Sequence, residues 1–164
     1  MNDVRAFIDE YFKAWQGTDE DRIVSYCAET VYLEIPGMVI NGKAALRDQF
    51  VRPFIAGFPG NRHIVKNMMF GKDAVVVEWS FEADHSGPFR GRAATGAEVK
   101  LPGCGVYEFD PMHRQITSAR IYFDVATLLK QISSHQPQIL QELLISWFAS
   151  RALAAKPTFG EGQP

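Results

Sequence analysis

One carboxylate stands where a strand gives way to a helix. In the run SARIYFDVATLLKQI, residues 118–132, the pattern alternates up to Phe123 and turns to apolar helical spacing from Val125, with Asp124 between them. Alternation puts Arg120, Tyr122 and Asp124 on one side of the strand and Ala119, Ile121 and Phe123 on the other. A carboxylate beside a guanidinium and a phenol has the makings of an acid–base site, with donors at hand for a developing oxyanion. The same position suits a helix N-cap, whose oxygen accepts the amide of Ala126 or Thr127. The two roles compete, because a capping carboxylate has a lowered pKa and is a weaker base.

Other groups offer less. His63, His85, His113 and His135 are far apart, with no His-x3-His and no paired cysteines, so no metal site is expected. The run GPFRGRAATGA has glycines at spacings that fit neither a dinucleotide loop nor a phosphate loop. It turns the chain, and its arginines are a candidate hold for an anionic substrate. Ser86 lies in HSG rather than a nucleophile elbow, and Cys104 in PGCGV reads as a small residue entering a strand. His85 closes its strand at a loop mouth, where it either lines a pocket or holds the loop by a hydrogen bond. Glu34 and His63 are candidate second polar groups. Trp15, Tyr11 and Trp79 fit core packing, and in a conical fold the core and the pocket wall coincide. Glu78 and Glu82 read as a solvated or subunit-facing stripe.

The elements that must position these groups follow from periodicity. Val4, Phe7, Ile8, Tyr11, Phe12 and Trp15 make one face of an amphipathic helix that Gly17 ends. TDEDRIVSYCAE reads as a second helix capped by Thr18 or Asp19, and TVYLEI as a strand stopped by Pro36-Gly37. GKAALRDQFVRPFIAGF is helical, with Pro53 set to kink or split it. RHIVKNMMF and DAVVVEWSFEAD form a hairpin; in the second, Val75, Val77, Trp79, Phe81 and Ala83 share the apolar side. EVKLPGCGVYEFD and QITSARIYFD are two further strands joined by DPMHR. The fold class is therefore α+β: a curved antiparallel sheet with N-terminal helices over one face. Such a cone leaves a cavity between helix and sheet that suits a small-molecule ligand. Residues 1–133 form the domain, a further helix over 134–155 extends it, and the tail 156–164 has too little apolar content to order itself.

Composition narrows the partners. A chain of 164 residues, 46% hydrophobic and 22% charged, is one soluble domain with a sizeable core. A formal charge of −2 gives no footprint for nucleic acid, and the apolar runs are too short for a membrane span. The polar start MNDVRAF lacks the apolar run of a signal peptide, so a cytoplasmic setting with reduced Cys27 and Cys104 is expected.

Several motifs together carry a family resemblance. His85-x-Gly87 is followed by Phe89 and Gly91, then Thr95-Gly96, then a closing strand that ends in Asp124 and a Leu-Leu-x-Gln helix. Over roughly residues 3 to 133 the chain resembles the SnoaL-like polyketide cyclases of the NTF2-like superfamily. It departs from them at GFPGNR, where Gly60 replaces an acid, and at Ala94-Thr95-Gly96, where a proline is lost. The resemblance implies a cone-shaped α+β barrel, no cofactor, and a homodimer or higher homo-oligomer formed through the open face of the sheet. It also implies Asp124 as general acid/base for an aldol-type cyclisation, with His85 lining the site. Arg120, Tyr122 or His85 would then hold the enolate oxygen, in a pocket walled by aromatic residues. Two alternatives stay open: a ligand-binding or protein-interaction module, and an epoxide hydrolase. The second is disfavoured, because VEWSF stands where an Arg and an Asp are wanted.

Overall fold

The computed structural model describes residues 2–110 and 115–133. Six strands make one curved, unclosed sheet in the order β2-β1-β6-β5-β4-β3. They are β1 Cys27–Ile35, β2 Met38–Asn41, β3 Arg62–Phe70, β4 Ala74–Asp84, β5 Glu98–Asp110 and β6 Gln115–Phe123. Neighbours pair antiparallel except β1 and β6, which run parallel. The expected α+β architecture is present. Helix α1, Asn2–Trp15, lays Ile8, Tyr11, Phe12 and Trp15 into the core over the concave side of the sheet. On β4 the alternation is kept, with Val75, Val77, Trp79 and Phe81 all buried.

Helix α2 spans Glu20–Ser25, and the Asp19 carboxylate caps it by accepting the Arg22 amide at 3.0 Å. It stops earlier than the sequence suggested, because Cys27–Glu29 belong to β1. Pairing of Cys27 with Ile116, and the Ile116 amide donating to the Tyr26 carbonyl at 2.8 Å, draw that stretch into the sheet. Strand β2 has no separate signal in the sequence. Its four residues are too few to show a period, and only pairing with β1 across the Gly37 turn (φ 78°) defines it.

Pro53 has the expected disruptive effect in a specific form. Helix α3 (Lys43–Leu46) passes into a π-helical turn at Arg47–Val51 before α4 (Arg52–Gly57) begins with Pro53 in its first turn. Proline cannot donate to the preceding turn, so the ladder slips there by one residue. Arg47 bridges Asp21 and Asp48, and Arg52 bridges Glu20 and Asp48, so this turn is tied to α2 by exposed ion pairs.

Helix α5, Val125–Ser133, buries Leu128 and Ile132, each such burial contributing about 1.5–3 kcal/mol. The predicted helix over 134–155, the tail 156–164, His113 and His135 lie outside the described residues. Among those described, no helix is long and apolar enough to cross a membrane.

Candidate functional site

The side chains that line the hollow of the cone come from five places, one of them β1, which gives Cys27, Val31 and Leu33. α1 supplies Tyr11, Phe12 and Trp15; the turn and helix after β2 supply Phe50 and Phe54. β3 and β4 give His63, Trp79 and Phe81, and β5 with β6 gives Tyr107, Ala119, Ile121 and Phe123. The space that the centre of a water molecule can reach is about 50 Å³, several times the ~10–15 Å³ that one water needs.

Glycines on β5 make that space. Alternation brings Val99, Leu101, Gly103, Gly105 and Tyr107 to the inner side of the strand. The Trp79 ring lies flat against Gly103, where a β-carbon would overlap the ring, and a β-carbon on Gly105 would come within 2.6 Å of the Tyr107 ring. Two large polar-tipped rings of the wall thus rest on bare backbone.

His63 sits at the centre of this wall. The rings of Phe12, Trp15 and Trp79 lie at 5.5 Å from its ring and Phe81 at 5.1 Å. Its Nδ1 is buried and has no hydrogen-bond partner. Burial pulls the imidazole down from 6.5 to about 3, because the charged form is poorly solvated among the aromatic rings. The Tyr11 and Tyr107 phenols are held above their ordinary value, chiefly by burial, and the Cys27 thiol is pushed up to about 12 by the same cause. The Trp79 indole lies near enough to the Tyr107 phenol to oppose that rise, yet its N–H closes no hydrogen bond. Geometry rules here: the pair is adjacent and unbonded.

Of the residues singled out in the sequence, the structure gathers Tyr11, Trp15, Trp79 and His63 in the cone. It does not bring the others there. The side of β6 that carries Arg120, Tyr122 and Asp124 faces away, and Ala119, Ile121 and Phe123 are the cone residues. Arg120 pairs with Glu108 at 2.7 Å on the outer face, Tyr122 is 55% exposed, and the exposed Glu34 accepts the Tyr32 hydroxyl at 3.2 Å.

Asp124 is an exposed helix cap. Its Oδ1 accepts the Ala126 amide at 2.9 Å and the Thr127 amide at 3.2 Å, and Oδ2 accepts the Thr127 hydroxyl at 2.6 Å. These bonds, the Thr127 hydroxyl foremost, lower its pKa. The cap has a purpose further along the helix. β6 stops pairing with β5 at Gly103–Phe123, and beyond that point Gln131 takes its place. The Gln131 side chain accepts the Lys100 amide at 3.1 Å and donates to the Lys100 carbonyl at 2.9 Å. Asp124 starts the helix whose far end clamps the edge of β5.

His85 is fully buried and holds a loop. Its ring Nδ1 pairs with Thr95 Oγ1 at 2.9 Å, and its carbonyl accepts the Thr95 and Gly96 amides at 3.1 and 2.9 Å. The ring packs on Phe58 at 5.3 Å and is outside the cone lining. Burial, with Arg92 adding to it, lowers the pKa. The loop it holds contains a tight turn in which Phe89 and Arg92 exchange backbone hydrogen bonds at 3.0 and 2.9 Å. Arg90 (φ 46°) and Gly91 (φ 78°) occupy the two left-handed positions such a turn requires. Its Phe89 then packs against Gly57, Phe54 and Phe58.

Tyr107 and Cys27 are cone residues that sequence reading passed over. For Tyr107 the signal was there, since Gly103 and Gly105 precede it on one side of an alternating strand.

The model of the SnoaL-like polyketide cyclase family matches residues 4–132. Among solved structures, a candidate SnoaL-like polyketide cyclase from Jannaschia sp. CCS1 is similar at 19% identity and a TM-score of 0.70, covering 79% of this chain and 91% of its own. AclR, a candidate hydroxylase from Streptomyces galilaeus, reaches 0.71 at 18% identity over 96% of this chain and 99% of its own. A protein of ketosteroid isomerase-like fold from Catenulispora acidiphila DSM 44928, in complex with trimethylamine, gives 0.64 at 15% identity over 77% and 92%. At these identities the likeness concerns the fold. No curated protein matches the sequence.

Proposed function

Since this chain belongs to the SnoaL-like polyketide cyclase family, we propose that it is a cofactor-independent enzyme of cyclase or isomerase type. It acts on a small, largely apolar carbonyl compound held in the cone. The observation that carries this reading is His63, a neutral imidazole with an unpartnered nitrogen in an otherwise apolar wall.

The chemistry follows from that setting. Aromatic walls confine a flexible chain so that its reacting carbons meet, which removes much of the entropic barrier. A proton leaves the carbon next to the carbonyl for the imidazole; the C–H electron pair moves toward the carbonyl oxygen, and an enolate forms beside an imidazolium. Once the ligand has displaced water from the cone the two charges attract strongly, and the Trp79 N–H and Tyr107 O–H are donors within the same wall for the enolate oxygen. The low pKa keeps His63 unprotonated across the neutral range; it is a weak base at rest, and its proton affinity rises only as the enolate charge develops beside it.

The test is deuterium exchange at the carbon next to the carbonyl in small methyl ketones, followed by proton NMR in heavy water. Exchange faster than buffer that is lost in His63→Phe and kept in Asp124→Asn supports the reading. Exchange lost in Asp124→Asn, with the fold intact, overturns it. A second reading, a domain that binds without turning over, is favoured by one observation: among the described residues, the cone is lined by neither Asp nor Glu. Binding without exchange would establish it.

A further inference from the structure

Four buried side-chain polar atoms lack a hydrogen-bond partner among the described residues: Asn61 Oδ1, His63 Nδ1, Trp79 Nε1 and His85 Nε2. All four come from the paired strands β3 and β4 or from the residues flanking them. An unsatisfied buried group costs about 1–3 kcal/mol, so natural proteins rarely keep several together. Two of the four, His63 and Trp79, line the cone, and β3 and β4 set them diagonally across one wall: His63 pairs with Phe81, and Val65 with Trp79. Their ring centres are 5.5 Å apart, edge to face.

Among the described residues, the rest of the lining carries no Asp, Glu, Lys or Arg. Each titratable group in it is held in its uncharged form by burial: Tyr11 and Tyr107 as phenols, Cys27 as a thiol, His63 as a neutral imidazole. A charged ligand would therefore enter a wall with no countercharge. The aromatic lining offers some compensation to a cation through its ring faces, but not to an anion.

We propose that the cone selects an uncharged ligand of about one ring that carries an exposed oxygen acceptor, such as an aryl ketone, with its oxygen placed at Trp79 Nε1. This rests on the reading of the cone as the ligand site and narrows it. The indole N–H can only donate, so the ligand must supply a lone pair there. The narrow free space limits it to about one ring, and the flat faces of Phe12, Trp15, Phe54 and Phe81 suit that ring. Specificity then comes from the unpaired indole, because a hydrocarbon of the same shape leaves its N–H unsatisfied.

The experiment is calorimetric titration of the full-length protein with four probes of nearly one shape. These are acetophenone, α-methylstyrene (its hydrocarbon isostere), benzoate, and benzylammonium. Acetophenone is expected to bind at least about fivefold tighter than α-methylstyrene, the worth of one net hydrogen bond, with no detectable binding of either ion. In Trp79→Phe that preference, read as the ratio of the two affinities, falls to near unity. A shift of the Trp79 indole proton in the NMR spectrum on adding acetophenone, assigned by the same variant, reports the contact without relying on affinity. Equal binding of ketone and hydrocarbon, binding of benzoate or benzylammonium, or no binding of any probe overturns the inference. Because binding is read apart from deuterium exchange, acetophenone that binds without exchanging leaves this inference standing and removes the enzymatic reading alone.

Discussion

Acid should destabilise this protein, and a measurable part of the loss should come from His63. His63 is ringed by Phe12, Trp15, Trp79 and Phe81, and burial lowers its pKa from 6.5 to about 3. The unfolded chain takes up a proton at His63 as the pH drops through 6.5, while the folded chain does so only near 3. Between those values the unfolded state binds more protons, so folding free energy falls as the pH falls. From about pH 8 to about pH 5 the loss from this residue is 1.36 kcal/mol for each of ~1.5 pH units, or at most about 2 kcal/mol. Residual hydration from the cone side of the ring reduces it. The assay is urea unfolding followed by tryptophan fluorescence at both pH values, with Trp15 and Trp79 as core reporters. His63→Phe keeps an aromatic ring in an aromatic cage and removes the titration. The variant should lose about 2 kcal/mol less than the parent over the same interval. Carboxylates and His85 titrate in both proteins and cancel in the difference. Equal losses in parent and variant would mean that His63 is solvated or paired, and the neutral-imidazole argument would go with it.

Other predictions concern neighbouring features. Asp124→Ala removes three hydrogen bonds at the start of α5 and should lower the melting temperature by a few degrees, whereas Asp124→Asn, itself a good cap, should restore most of it; calorimetry decides. Gly103→Ala sets a methyl group into the Trp79 ring. It should cost about 1–3 kcal/mol by overpacking, seen as a drop in the urea midpoint together with a changed tryptophan emission. The half-buried Cys104 should react with Ellman's reagent in the native protein, while the buried Cys27, its thiol raised to about 12, should react only on unfolding. Gln131→Ala breaks both bonds to the Lys100 backbone, and hydrogen exchange of the Lys100 amide should speed up while the β4–β5 amides stay protected.

Much of the fold was legible because periodicity is a property of the chain alone. The apolar spacing of α1, the alternation of β4 and the strand-to-helix change at Asp124 all depend on neighbours a few residues away, and each stands in the structure. The Asp19 cap and the break at Pro53 were equally local. Strand β2 and the start of β1 were not, since hydrogen bonds to distant strands define them. The same division runs through the site. Alternation separated Arg120, Tyr122 and Asp124 from Ala119, Ile121 and Phe123 correctly, but a period of two does not say which side of a curved sheet is concave. The helices settled that by burying the apolar set against α1, which left the polar set outside and gave Asp124 to the helix it begins. What the sequence determined by itself was which residues travel together on each face. What only the tertiary structure decided was which face encloses the cone, and therefore that His63, isolated in sequence from any partner, stands inside it with a nitrogen unpaired. Burial of the larger apolar area made that choice, and it is a property of the packed whole.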